Sequence, residues 1–262
     1  MRFTTPSGRP PRALVAGTIG VLAVLIATAP LLDVDTARLA SAIPHLLAFA
    51  AHLWVMPDWA FVPTLLRHTL ETLEMTLVAT SIAVLLSMPM VALAARNVSP
   101  HPMLFHAARA ALSLTRALPE LVWALVFVSA VGLGPLPGVL ALALVTVGFM
   151  GKLFAEALEV VDIRAVEGVA AHGARPLQVL GFAILPQALP DLVGGTLYTL
   201  DHNLRAATIL GLVGAGGIGF DLVMAMRMFE YDRLLPITIV ILVCVVVLDR
   251  VSDRLRSRIV HG

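Results

Sequence analysis

The chain has 262 residues, 59% apolar and 13% charged, with a mean hydropathy of +0.93. A soluble globule carries roughly 45–50% apolar and about 25% charged residues, so this composition excludes one and implies a polytopic membrane protein. A net charge of +1 gives no basis for nucleic-acid binding, and the one cysteine, Cys244, sits in an apolar run as a small hydrophobe without disulfide or metal-ligand spacing.

Crossing about 30 Å of hydrocarbon takes roughly 17–25 apolar residues, and six runs qualify, beginning with Ala13–Leu32. Arg2, Arg9 and Arg12 precede that run, and Ala27-Thr28-Ala29 resembles a signal-peptide cleavage site. Its apolar length and Pro30 just beyond the cut oppose cleavage and favour an uncleaved span. From Asp33 to His68, Pro44, Pro57 and Pro63 with Trp54 and Trp59 suit a periplasmic segment at the lipid interface. This divides the chain into 1–65, the N-terminal span and interfacial segment, and 66–262, a membrane core.

The second span, Leu70–Ala95, follows a threonine row, Thr69, Thr72, Thr76 and Thr80, suited to close helix packing. The third, Leu118–Leu133 with a helical lead-in from Leu112, places Arg116, Glu120, Trp123 and Phe127 on one face, with Pro119 early in the helix. Arg116 and Glu120 there either cap and anchor the helix at the membrane boundary or act as a gate. The fourth span is Gly138–Leu158.

A polar, glycine-containing loop, residues 159–187, separates the fourth span from the fifth. It reads as a short helix whose Ala170 and Ala171 leave a low surface to seat in a partner's groove, with Gly173 turning the chain. The fifth span, Leu189–Val213, carries Gly194, Tyr198, Asp201, Arg205 and Thr208 along one side at 100° per residue, with His202 at the margin. Charges inside a bilayer are costly and face a bundle interior or an aqueous path. Two readings of Arg205 stand: a structural pair with Asp201 four residues earlier, or a fixed cation with forked donors that binds an oxyanion in a translocation path. His202 and Asn203 add donors on the second reading, although Asn203 points nearly opposite Asp201 and better suits an amide bond between helices. His202 lacks the further ligands of a metal site.

Gly214, Gly216 and Gly219 satisfy the dinucleotide-binding glycine pattern, but they end a membrane span instead of joining a strand to a helix. Gly214, Gly216 and Gly217 therefore read as a helix break or close approach and as gate candidates. The sixth span is Leu234–Leu248. Counting from an N-terminus inside, thirteen of the Lys and Arg residues fall at the cytoplasmic side and four (Arg38, Arg67, Arg227 and Arg233) outside. Both termini and the 159–187 loop are then cytoplasmic. The only lysine, Lys152, is followed by Leu153, so no phosphate-binding Gly-Lys-Ser/Thr loop exists and nucleotide must bind elsewhere.

The loop resembles the EAA loop of ABC importer permeases, in which Glu-Ala-Ala precedes a glycine and a later Leu-Pro. Glu167, Gly173, Leu185 and Pro186 fall on that pattern, while Gly168, Val169 and Ala183 replace Ala, Ala and Ile. The segments beginning at Glu71, Leu118, Gly151 and Asp201 look like those of phosphonate importer permeases, a group including phosphite and hypophosphite permeases. The likeness covers about residues 65–250 and leaves the first sixty without it.

The resemblance implies an all-α type I importer permease: one N-terminal extra span plus a five-span core in the bacterial inner membrane. Its implied partners are a second copy of itself, two ATPase subunits that bind ATP and magnesium, and a periplasmic phosphonate-binding protein. It also implies that the chain is not itself an enzyme and binds no cofactor. Glu167, Ala170, Ala171, Gly173, Leu185 and Pro186 would couple to the ATPase, and Tyr198, Asp201, His202, Arg205 and Thr208 would line the path. The alternatives are a permease for another solute such as methionine, which the GAGGIG segment permits, a proton-coupled carrier with Asp201 and His202 as relay, or an intramembrane enzyme. Against the enzyme, no His-Glu-x-x-His, Gly-x-Ser-x-Gly or clustered acid pair appears.

Overall fold

The computed structural model describes residues 12–28, 36–53 and 58–261. Arg2, Arg9, Pro30, Trp54 and Pro57, used above, lie outside them. The chain parts into two compact units, Met1–Val55 and Met56–Gly262.

In the first unit, helix α1 (Arg12–Thr28) has 17 residues and no charge after Arg12. The Thr18 hydroxyl donates to the carbonyls of Leu14 and Val15 at 3.0 and 2.9 Å, so this polar group is satisfied within the helix, as an apolar setting requires. Helix α2 (Thr36–Leu53) occupies part of the stretch expected to be interfacial and accommodates Pro44 in its interior.

The second unit holds nine more helices among the described residues: α3 (Val62–Ala94), α4 (Pro102–Thr115), α5 (Glu120–Val131), α6 (Pro135–Glu159), α7 (Ile163–Ala171), α8 (Pro176–Val179), α9 (Leu185–Leu210), α10 (Gly217–Met228) and α11 (Tyr231–His261). Its centre is the packing of α3 on α6, with α9 against both. The buried face of α3 is made of small residues, among them Thr72, Thr76, Ala79, Thr80, Ala83 and Ser87, which lets the backbones approach. The threonine row behaves as its spacing implies: Thr69, Thr72, Thr76 and Thr80 each donate to the carbonyl four residues back, at 2.7–2.8 Å. Hydroxyls so satisfied can be buried at little cost. A second cluster of small residues, including Ala79, Ala124, Ala141, Ala206 and Ala207, fills the junction of α3, α5, α6 and α9.

Among the described residues, four helical stretches are long and apolar enough to cross a membrane: Trp59–Ala94, Pro135–Glu159, Pro176–Val213 and Tyr231–Arg258. The α4–α5 pair makes a fifth only as a broken span, because its halves meet at 80°. This corrects the expectation of a straight third span with a lead-in from Leu112. Pro119 disfavours helical geometry at Leu118 and cannot donate a backbone bond, so α4 stops at Thr115 and α5 starts at Glu120. Arg116 is therefore the C-terminal cap of one helix and Glu120 the first residue of the next, not two turns of a single helical face.

Candidate functional site

The loop between α6 and α9 packs Val166, Val179 and Leu180 against the core of the unit. Asp162 caps α7 by accepting the Arg164 amide at 2.9 Å, and its own amide donates to Gln187 Oε1 at 3.0 Å, fastening the loop's start to the base of α9. At the far end the Gly173 amide donates to the Ala170 carbonyl at 2.9 Å, with Gly173 at φ +77°, a left-handed turn that glycine adopts without a Cβ clash. Arg175 and Gln178 then bond reciprocally to open α8 at Pro176. A π turn, Leu180–Ile184, joins α8 to α9.

Glu167, Ala170, Ala171, Gly173 and Pro186 are exposed, as is Leu185. Sequence reasoning had not singled out Ile163, Leu177 and Phe182, which are 60%, 81% and 76% exposed. The loop thus presents bulky apolar side chains around its small ones, and the helical amphipathicity of 163–171 was the available signal.

On α9 the Arg205 guanidinium pairs with Asp201 Oδ2. Asp201 is buried whereas the Arg205 side chain is half exposed. The other carboxylate oxygen, Oδ1, is buried and has no hydrogen-bond partner among the described residues. Asn203, on the other side of the helix, is buried, donates to Thr80 Oγ1 at 2.9 Å and accepts from Thr146 Oγ1 at 3.0 Å. It ties α9 to α3 and α6, as its opposed position suggested.

The structure distributes the rest of the α9 stripe among different surroundings. Tyr198 and Gly194 border an open groove of about 980 Å³ together with Phe149, Asp253 and Arg256. Thr208 turns its hydroxyl back to the Arg205 carbonyl at 2.7 Å. His202 instead lines a cavity of about 160 Å³ with Arg116, Glu120, Thr146, Thr199 and Asn203. Residues of the α4–α5 bend, α6 and α9 thereby meet around one largely apolar cavity, a convergence that the fold creates through the bend. Gly148 permits it: a Cβ there would collide with the side chains of Thr115 and Arg116, which end α4.

Gly214, Gly216 and Gly217, at φ +80°, +79° and +70°, form the turn from α9 into α10. The Gly217 amide donates to Glu71 Oε1 at 3.2 Å and the Ile218 amide to Thr72 Oγ1 at 2.8 Å, so side chains of α3 satisfy the open amides of the α10 N-terminus. One turn along, His68 Nδ1 lies 2.5 Å from Asp221 Oδ2. His68, Glu71 and Asp221 were assigned no role from sequence. The i, i+3, i+4 spacing of His68, Glu71 and Thr72 marks one polar face on an apolar helix, but their partners lie some 150 residues away.

The chain matches, over residues 87–261, the family described as binding-protein-dependent transport system inner membrane component. It is 42% identical over 243 residues to the phosphite transport system permease protein PtxC of Stutzerimonas stutzeri, an alignment covering 93% of this chain and 87% of that protein. To the phosphate-import permease protein PhnE of Mycolicibacterium smegmatis it is 47% identical over 190 residues, 72% of this chain and 36% of that one. In fold it is similar to the inward-facing MetNI methionine ABC transporter, with a TM-score of 0.68 at 22% identity over 77% of this chain and 99% of that chain. The PtxC alignment is too long to exclude the first sixty residues, which corrects the expectation that they carry none of the likeness. With a matching model over most of its length and a relative aligned nearly end to end, this multi-pass helical chain belongs to the family of binding-protein-dependent transport system inner membrane components.

Proposed function

We propose that the chain is the permease subunit of an ATP-driven importer that moves a phosphorus oxyanion, phosphite or phosphonate, across the inner membrane by alternating access. The observation that carries this reading is the 42% identity to a phosphite permease along nearly the whole chain. The likeness to methionine permeases is weaker, 26% identity to a probable D-methionine permease of Vibrio cholerae, and gives that solute no comparable support. In this reading two copies of the chain pair about a two-fold axis, and each docks one ATPase subunit and shares a periplasmic binding protein. Hydrolysis takes place on the partner. The basic residues orient both termini and the 159–187 loop towards the cytoplasm, and α1 supplies the sixth span.

The geometry suits these roles. The exposed loop offers Ile163, Leu177 and Phe182 as apolar anchors, with Glu167, Ala170, Ala171, Gly173, Leu185 and Pro186 shaping the surface between them. Closure of the ATPase dimer would draw the two loops together and rock the helices they carry. Arg205 spends one end of its fork on buried Asp201 and leaves the remainder of a half-exposed guanidinium for an anion. Tyr198, His202 and Thr208 would follow on the same helix, with Arg116 and Glu120 closing the His202 cavity and Gly214, Gly216 and Gly217 shaping the turn above it. The test is ATPase stimulation of the reconstituted complex, with its binding protein, by phosphite, methylphosphonate, phosphate and methionine. Stimulation by a phosphorus oxyanion is expected, and stimulation by methionine alone would overturn the proposal.

A further inference from the structure

A second basic site, which shares Arg116 with the His202 cavity, is a cleft of about 130 Å³ between α4 and α6 lined by Arg109, Ser113, Arg116 and Lys152 with small and apolar neighbours. Cavities above roughly 10–15 Å³ admit a water, so this one has room for a larger polyatomic group. Three cations converge here. Arg109 is held in place, its Nε donating to the Ala94 carbonyl at 3.1 Å and its Nη2 to Glu159 at 2.9 Å. Lys152 lies 3.7 Å from Glu156, with about half of its side chain exposed. Arg116 donates Nε to the Leu112 carbonyl at 3.2 Å and has no carboxylate at ion-pair distance among the described residues. Glu159 and Glu156 compensate Arg109 and Lys152, which leaves Arg116 as the cation of the cleft without a carboxylate among the described residues, a local excess of one positive charge.

The depth of the cleft is informative. Lys152 stands seven residues before the end of α6 at Glu159, about 10 Å inside the helix end at 1.5 Å per residue. The 25-residue α6 is about 37 Å long, only a few Å longer at each end than the ~30 Å of hydrocarbon, so Lys152 lies a few Å below the headgroups at the α7 end of the helix, within reach of them by its long side chain. Basic pockets between spans at such a depth hold lipid phosphates, and forked guanidinium donors match their oxygens.

We propose that the Arg109–Arg116–Lys152 cleft binds a phosphate group, either in an anionic lipid headgroup or as a free phosphate ion. The inference does not depend on the identity of the transported solute. The full-length permease would be purified as wild type and as Lys152→Gln, Arg116→Gln, Ser113→Asp and Lys152→Arg. Bound phosphatidylglycerol would be counted by native mass spectrometry from nanodiscs of phosphatidylcholine with and without phosphatidylglycerol. Inorganic phosphate would be titrated against thermal melting in neutral detergent, with chloride as control.

At about 1 kcal/mol per basic residue near a lipid headgroup, each Gln variant should bind about fivefold more weakly, and Lys152→Arg like wild type. Ser113→Asp puts a carboxylate at an exposed position and should abolish binding without disturbing the fold. It decides the matter together with Lys152→Gln if Arg116→Gln does not fold. Loss of phosphatidylglycerol with no response to inorganic phosphate assigns the site to lipid, and a phosphate-dependent rise in melting temperature lost in the variants assigns it to the free ion. Undiminished binding of both probes by Lys152→Gln and Ser113→Asp would overturn the proposal.

Discussion

Replacing Arg205 with methionine removes the cation but leaves Asp201 where it is, almost wholly buried, with one carboxylate oxygen already lacking a partner. Breaking a buried ion pair from one side costs about 3–5 kcal/mol. The half-exposed Arg205 argues for the lower end here, because some water reaches the guanidinium side of the pair. We expect Arg205→Met to lose about 3 kcal/mol of stability, read as a lower melting temperature and reduced yield of assembled permease by size-exclusion chromatography. Adding Asp201→Asn removes the stranded charge, and the double variant should recover to within about 1 kcal/mol of wild type. Uptake of labelled phosphite, normalised to assembled complex, separates the two roles of Arg205. A purely structural partner predicts full uptake by the double variant, whereas an anion-binding residue predicts recovered yield with uptake still near zero and partial uptake by Arg205→Lys. Wild-type melting by Arg205→Met would refute the energetic argument, and full uptake by the double variant would refute the place of Arg205 in the path.

Gly173→Pro demands φ near −65° where the backbone sits at +77° and deletes an amide bonded to Ala170, so the loop turn should fail while the spans remain intact. The expected result is an inserted permease that no longer retains the ATPase on affinity purification, and full retention would show that the loop docks nothing. Asn203→Leu deprives Thr146 of its acceptor and Thr80 of a donor in the buried centre, costing about 1–3 kcal/mol. This should appear as a lower melting temperature with unchanged uptake per assembled complex. Thr72→Val removes the hydroxyl that accepts the Ile218 amide, a capping loss of about 0.5–2 kcal/mol. Hydrogen exchange should then accelerate in the first turn of α10 and stay unchanged in α6.

Hydropathy located the membrane core because lipid demands long apolar helices: α6 and α11 contain the whole of an expected run, and α3 and α9 all but the last residues of one. It did not reveal the α4–α5 bend, since nothing in a hydropathy window reports direction. The opposed placement of Asp201 and Asn203 was legible from helical phase alone. Which neighbours they meet was not, because Thr80 and Thr146 belong to other helices. The cavity shared by Arg116, Glu120 and His202 was similarly hidden, as it arises only when the break brings the α4–α5 turn against α6 and α9. The loop showed its turn in Gly173, but its apolar anchors passed as ordinary hydrophobic residues until their exposure was known.

The backbone runs as one helix from Pro176 to Val213, through α8, the π turn and α9. The exposed loop residues Leu177 and Phe182 and the Arg205 guanidinium therefore ride on the same rod. Leu177 and Arg205 are 28 residues apart, about 42 Å at 1.5 Å per residue. A tilt of about 5° pivoting at Leu177 would sweep Arg205 sideways by ~4 Å, more than the length of a hydrogen bond. If the loop docks the ATPase as proposed, work delivered there reaches Arg205 through the helix itself, with no relay of side chains in between. The π turn and Pro190 are the places where such a rod would yield, and both lie on the loop side of Arg205. Stiffness between Asp191 and Arg205 is then itself a functional property of this helix.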